Sequence, residues 1–187
     1  MDSKIRLFVA IDMPEVVKVT LLAASAQMGQ RLPAGAVRWV KQEQLHLTLR
    51  FLGDTAVSQL PAVQNQLTEL ASQHAPFRLW LKGVGAFPNR RRPRVLWANL
   101  DGNLGLLRAM QAQLEDRVVS LGWSREKRPF SPHVTLGRVK DARNVPELDW
   151  DVDLAEMEMG VTAVQLVQSE LRPSGPQYTV KHIARLG

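Results

Sequence analysis

Alternation of apolar and polar side chains organises this chain more than any other signal. From Gln44 to Phe51 it runs unbroken. Leu45, Leu47, Leu49 and Phe51 fall on one parity, and Gln44, His46, Thr48 and Arg50 on the other. A strand has a period of two, so the first set predicts a core face. The second predicts a polar face carrying an imidazole, a hydroxyl and a guanidinium in a row, a set suited to phosphate. Phe130 to Val139 repeats the scheme, with His133 and Thr135 pointing one way and Val134 and Leu136 the other. Arg138 has the wrong parity for that polar face in a regular strand. Gly137 just before it offers a place for a bulge that re-aims it.

The rest of the pattern predicts alternating strands and helices. Arg6–Ile11 reads as a buried strand. Asp12 is placed to cap a helix that begins near Pro14 and ends at Pro33, with Val16, Val19, Leu22 and Ala23 at helical spacing. Val37–Val40 and Leu45–Leu52 read as strands, and Gly53-Asp54 as a turn. Ser58 is expected to cap a second helix reaching His74, carrying Leu60, Val63, Leu67 and Leu70. Strands over Phe77–Lys82 and Arg94–Leu100 flank a basic loop, Pro88–Pro93. Leu104, Leu107, Leu114, Val118 and Leu121 share one side of a third helix, which Gly122 stops. Strands at His133–Val139, Val161–Ser169 and Tyr178–Ala184 follow, with Pro173–Pro176 as the turn between the last two.

No strict βαβ order emerges, which predicts an α+β fold with mainly antiparallel sheets. A long helix followed by a His-apolar-Thr-Leu strand occurs once in each half, which suggests an internal pseudo-repeat. At 187 residues the chain is long enough for one domain, 1–187, of two intimately packed lobes.

Composition narrows the chemistry. With no cysteine, disulfides, thiolate catalysis and Cys-ligated zinc are excluded. The excess of 24 Lys+Arg over 18 Asp+Glu, a net +6, suits an anionic partner, nucleic acid first. The run Leu7–Ile11 is too short for a secretory h-region, and no stretch approaches the ~18 apolar residues of a membrane span. A cytoplasmic location with no membrane partner is the expectation.

A histidine on one polar strand face is ordinarily a surface residue, and threonine is simply a good strand former. Two matching strands change that judgement. With four histidines and seven threonines in the chain, two accidental His-apolar-Thr-apolar matches have odds on the order of one in two thousand. His74 and His182 lack such a partner and are expected to be ordinary surface residues.

The pair His46-Leu-Thr-Leu49 and His133-Val-Thr-Leu136 resembles the two H-x-T-x signatures of the two-histidine (2H) phosphoesterase superfamily. The surrounding text is similar to its LigT-like branch, the RNA 2′,3′-cyclic 3′-phosphodiesterases also called 2′-5′ RNA ligases. The supporting segments are Arg6–Asp12, His46–Gly53, Phe130–Arg138 and Ser169–Pro173. The resemblance implies a bilobed α+β fold of two mainly antiparallel sheets with flanking helices, pseudo-twofold, with a cleft between lobes and one H-x-T-x strand from each. It further implies His46 as proton donor and His133 as proton acceptor, with Thr48, Thr135, Arg138 and Phe8 binding substrate. The implied partners are RNA 3′ ends bearing a 2′,3′-cyclic phosphate, tRNA halves among them, met by a monomer.

Side-chain chemistry agrees with such a role. Opening a cyclic phosphate needs a base for water, an acid for the departing ribose oxygen, and donors for the charged oxygens. Histidine, with an ordinary pKa near ~6.5, suits both proton roles. No cofactor or metal is expected, because two histidines fall short of the three protein ligands of a catalytic zinc site. Arg90, Arg91, Arg92 and Arg94, with Lys127 and Arg128, are placed to guide an RNA end. Three other readings remain open here: the same chemistry on a nucleotide, 2′-5′ oligoadenylate or ADP-ribose cyclic phosphate; a non-catalytic RNA-end binding module; and a metal phosphodiesterase.

Overall fold

The computed structural model describes residues 3–145, 152, 154–173 and 175–187. Among them the chain forms β1 (Lys4–Asp12), α1 (Glu15–Gln30), β2 (Val37–Trp39), β3 (His46–Ala56), α2 (Leu60–Ser72), β4 (Phe77–Phe87) and β5 (Val95–Gly102). It continues with α3 (Leu104–Ser120), β6 (His133–Val139), β7 (Glu158–Val161), β8 (Ala163–Arg172) and β9 (Gly175–Arg185). No helix of the described residues is long and apolar enough to cross a membrane.

The strands hydrogen-bond in the order β7-β4-β5-β6-β3-β1-β8-β9, with β2 on β6, and every pairing is antiparallel. The two sheets expected from the sequence are the two halves of this array. They meet at one residue pair, Leu47 against Val134. Each half has its His-x-Thr strand at the junction, so the order reads alike from the middle outward.

Burial explains the layering. Leu7 to Ile11 of β1 are all buried, as befits a central strand covered on both faces. Leu7, Val9 and Ile11 join the main core beneath the helices. Phe8 and Ala10 form a smaller cluster on the other face with Val167 and Tyr178. The helices cross the junction: α1 packs on β6 and α3 on β3, while α2 lies on β8, β9 and α3.

Several boundaries and faces differ from expectation. In α1 the buried stripe is Val17, Leu21, Ala24 and Met28, while Val16 and Val19 are 59% and 57% exposed. Apolar residues ring this helix, so its sequence allows several faces and packing selects one. Pro14 rather than Asp12 occupies its N-cap. A 3₁₀ turn over Val57–Gln59 precedes α2, whose N-cap is Gln59 rather than Ser58. Gly53-Asp54 is no turn, because β3 continues to Ala56 and Gly53 takes a positive φ of 69° inside the strand. Its register against β1 is kept by pairs from Leu7–Gly53 to Lys4–Ala56. The turn expected at 173–176 includes Ser174, which lies outside the described residues.

Candidate active site

The junction pair fixes the geometry of the two motifs. Leu47 and Val134 are fully buried and point into the core. Their neighbours on both strands therefore face the opposite side. In an antiparallel ladder, one step each way sets His46 alongside Thr135 and Thr48 alongside His133. Two imidazoles and two hydroxyls from distant parts of the chain thus share one face of the sheet.

Both histidines are oriented identically. Nδ1 of His46 lies 2.7 Å from the carbonyl oxygen of Gln44, and Nδ1 of His133 lies 2.7 Å from that of Ser131. A carbonyl only accepts, so each Nδ1–H donates and each Nε2 is left for proton exchange. Rings pack each imidazole. Phe8 and Tyr178 stand 4.8 and 5.5 Å from His46, and Phe87 and Trp97 stand 5.0 and 6.4 Å from His133, centroid to centroid.

Burial pushes both histidines below their ordinary pKa. The smaller influences differ. For His46 the Gln44 carbonyl and the Asp12 carboxylate push upward and His133 pushes downward. For His133 the Ser131 carbonyl pushes upward, while the Arg138 guanidinium pushes downward. Asp12 stands opposite His46 in the β1–β3 ladder and pairs with Lys18 at 3.0 Å.

Both strands bulge at the same point, three residues after the histidine. Along β1, Ala10 pairs with Thr48 and Val9 with Arg50, so Leu49 is an extra residue. Along β5, Trp97 pairs with Thr135 and Leu96 with Gly137, so Leu136 is extra. Each bulge reverses the parity that follows. Arg138 is thereby brought to the face of Thr135, as Gly137 suggested, and lines the cavity there.

The same device corrects the expectation for the first strand. Arg50 leaves the polar face and is buried at 9% exposure, paired with Glu115 of α3 at 2.6 Å and donating to the carbonyls of Phe51 and Ser124. Phe51, expected in the core, is 59% exposed and lines the cavity.

That cavity, about 370 Å³, is lined by His46, Thr48, Thr135, Arg138 and Phe8, together with Tyr178. His133 is not among its lining residues; it stands at the start of β6, two residues before Thr135, which is. The cavity walls also bring Arg6, Arg38, Lys41 and Arg172, which with Arg138 makes five cationic side chains and, among the described residues, no carboxylate. The site is built for an anion. Tyr178, Arg6, Arg38 and Lys41 were not singled out by sequence; Tyr178 is the chain's single tyrosine, but nothing in its strand marks it. Among the described residues no three His, Cys, Asp or Glu side chains converge in a way that would hold a metal ion. His74 and His182 sit outside the site, on Gln113 and Thr68 respectively.

Known proteins are similar to this chain in sequence and in fold. Residues 22–172 match the pattern of the 2′-5′ RNA ligase superfamily. A Thermus thermophilus protein named RNA 2′,3′-cyclic phosphodiesterase is 39% identical over 94% of this chain and 87% of its own length. A crystal structure of a protein from the same species superposes with a TM-score of 0.82 at 38% identity, covering 97% of each chain. The structure of E. coli LigT complexed with 3′-AMP gives a TM-score of 0.76 at 27% identity, covering 98% of this chain and 99% of that one.

Proposed function

The chain belongs to the 2′-5′ RNA ligase superfamily, and from that premise we propose that it is an RNA 2′,3′-cyclic phosphodiesterase that yields a 2′-phosphomonoester. Water attacks phosphorus as neutral His133 takes one of its protons at Nε2. The bond from phosphorus to the 3′ oxygen breaks, and protonated His46 delivers a proton to that oxygen. The hydroxyls of Thr48 and Thr135, with the Arg138 guanidinium, donate to the non-bridging oxygens, where fixed donors stabilise developing charge. Phe8 packs against the His46 ring and holds its plane.

The observation that carries this reading is the pairing of Leu47 with Val134, which brings two tautomer-fixed imidazoles onto one sheet face, diagonal to each other and each beside the other strand's threonine. In-line displacement needs an acid and a base on either side of phosphorus, and two imidazoles offset diagonally on neighbouring strands suit that. The division of roles is supported by the neighbours. A carboxylate, Asp12, favours the protonated form of His46, and a guanidinium, Arg138, favours the neutral form of His133.

The same groups in reverse join a cyclic end to a 5′-hydroxyl without ATP, so 2′-5′ ligation is the slow counterpart of hydrolysis in water. tRNA halves with cyclic ends fall within this substrate class. We take residues 1–187 as one domain of two lobes acting as a monomer, because both histidines come from one chain and α1 and α3 each pack across the junction.

Phosphorus NMR of a cyclic-ended oligoribonucleotide after incubation tests the reading. A 2′-phosphate, formed at an unchanged rate after dialysis against EDTA, is expected. A 3′-phosphate, or an untouched cyclic end, overturns it.

A further inference from the structure

A second cavity, about 1260 Å³, is lined by neither histidine and exceeds the ~300–1,000 Å³ typical of small-molecule sites. Three separate stretches of sequence line it. Arg91, Arg92 and Arg94 come from the loop between β4 and β5, Arg128 from the segment before β6, and Lys140 and Arg143 from just beyond β6. Among the described residues Asp141 is the one carboxylate in the lining, and Arg143 already holds it through Nε at 3.0 Å and a terminal nitrogen at 2.8 Å. Two residues that sequence grouped with this cluster are not in its lining, Lys127 and Arg90, whose guanidinium donates to the carbonyl of Val84.

The cavity is tied to the active site by one strand. Arg138 lines the first cavity, Val139 and Lys140 line the second, and the Val139 amide donates to the Arg94 carbonyl at 3.0 Å. From Thr135 to Lys140 the strand runs roughly 17 Å at ~3.3 Å per residue. A mononucleotide held at the threonines does not reach that far, but an oligonucleotide does. Among the described residues no aromatic side chain lines the second cavity, so it offers no stacking platform and reads charge alone.

Resting on the proposed phosphodiesterase activity, we propose that this basic cavity holds the phosphodiester backbone of the RNA a few nucleotides from its cyclic end, without regard to base. The enzyme is then selective for oligonucleotide ends over cyclic mononucleotides through ground-state binding of the chain behind the reacting phosphate.

The test compares the full chain with Arg92→Ser/Arg94→Ser/Arg128→Ser/Lys140→Ser and with the milder Arg92→Ser/Lys140→Ser. Substrates are a cyclic-ended dodecaribonucleotide and a 2′,3′-cyclic mononucleotide, each across a salt series. The quadruple variant is expected to raise KM for the oligonucleotide at least about tenfold and to flatten its log–log salt slope by up to about 3, at ~0.7 per lost phosphate contact. Mononucleotide kcat/KM stays at the parent value, and the double variant shows about half the slope change. Unchanged oligonucleotide KM and salt slope in either folded variant overturn the proposal. Fluorescence anisotropy of the same dodecamer ending in a 3′-phosphate reads binding without turnover. Should the parent open no cyclic phosphate, the activity assignment fails while this assay still decides whether the cavity holds RNA. Equal affinity of parent and variants there overturns the inference on its own.

Discussion

His46 and His133 each open a strand, donate Nδ1–H to the carbonyl two residues back, and precede a bulge at the leucine three residues on. Beyond the bulge the two halves part. On the His133 side, Gly137 sits inward because a Cβ there would meet Val37 Cγ1 at 2.6 Å and the Trp39 ring at 2.9 Å. Arg138 then turns to the cleft. On the His46 side the inward position is filled by Arg50, bound to Glu115, and the cleft position by Phe51. The charged neighbours differ as well, Asp12 for one imidazole and Arg138 for the other. The comparison teaches that backbone symmetry gives two equivalently oriented imidazoles, and that side chains at a few flanking positions surround them with opposite charge, which is the basis of the acid and base roles proposed for them.

The strongest challenge to the equivalent half of that comparison is removal of either ring. His46→Ala and His133→Ala are each expected to lower kcat by about 10²–10⁴-fold with an unchanged melting temperature. The double variant should cost more than either single one, because the remaining histidine still carries its own proton in each, but less than the product of the two losses, because acid and base act on one step. Steady-state rates on a cyclic-ended RNA check this, and multiplicative losses would break the pairing.

The inward positions come next. Arg50→Met or Glu115→Leu alone leaves an uncompensated buried charge and is expected to destabilise the fold by about 3–5 kcal/mol. Combining them should recover most of that loss, as urea unfolding would report. In the other half, Gly137→Ala forces Trp39 to shift and weakens the β2–β6 pairing, with no electrostatic partner able to rescue it.

The smallest expected effects sharpen the unequal half. Asp12 raises the pKa of His46, so Asp12→Asn lowers it. A group that must be protonated then fails earlier, and the alkaline limb of kcat/KM moves to lower pH. Arg138 depresses His133, so Arg138→Gln raises it, and the acid limb moves to higher pH along with a rise in KM. The two variants narrow the same bell from opposite sides, which pH–rate profiles resolve.

Much of this site was legible in the alternation of residues 44–49 and 133–136, because a strand's period of two assigns faces without any knowledge of the fold. Arg138 was legible too, since Gly137 offered a bulge. The matching bulge at Leu49 was not, because Leu49 alternates correctly and only its register with Val9 and Ala10 shows that it is extra. Arg50 and Phe51 were therefore assigned to each other's faces. Tyr178 was hidden because its place beside Phe8 and His46 depends on β9 pairing with β8 and β8 with β1. The stripe of α1 was hidden for the opposite reason, since apolar residues on all sides fit more than one orientation. The basic loop Arg90–Arg94 was visible as charge, while its assembly with Lys140 and Arg143 required the fold.

The claim that two imidazoles from separate halves divide the proton work is tested most directly by the pH dependence of kcat/KM in the single-histidine variants. The parent should give a bell. His133→Ala should retain residual activity that has lost only the acid limb, and His46→Ala residual activity that has lost only the alkaline limb. The opposite pairing of variant and limb, or a bell that survives in either variant, would contradict the account.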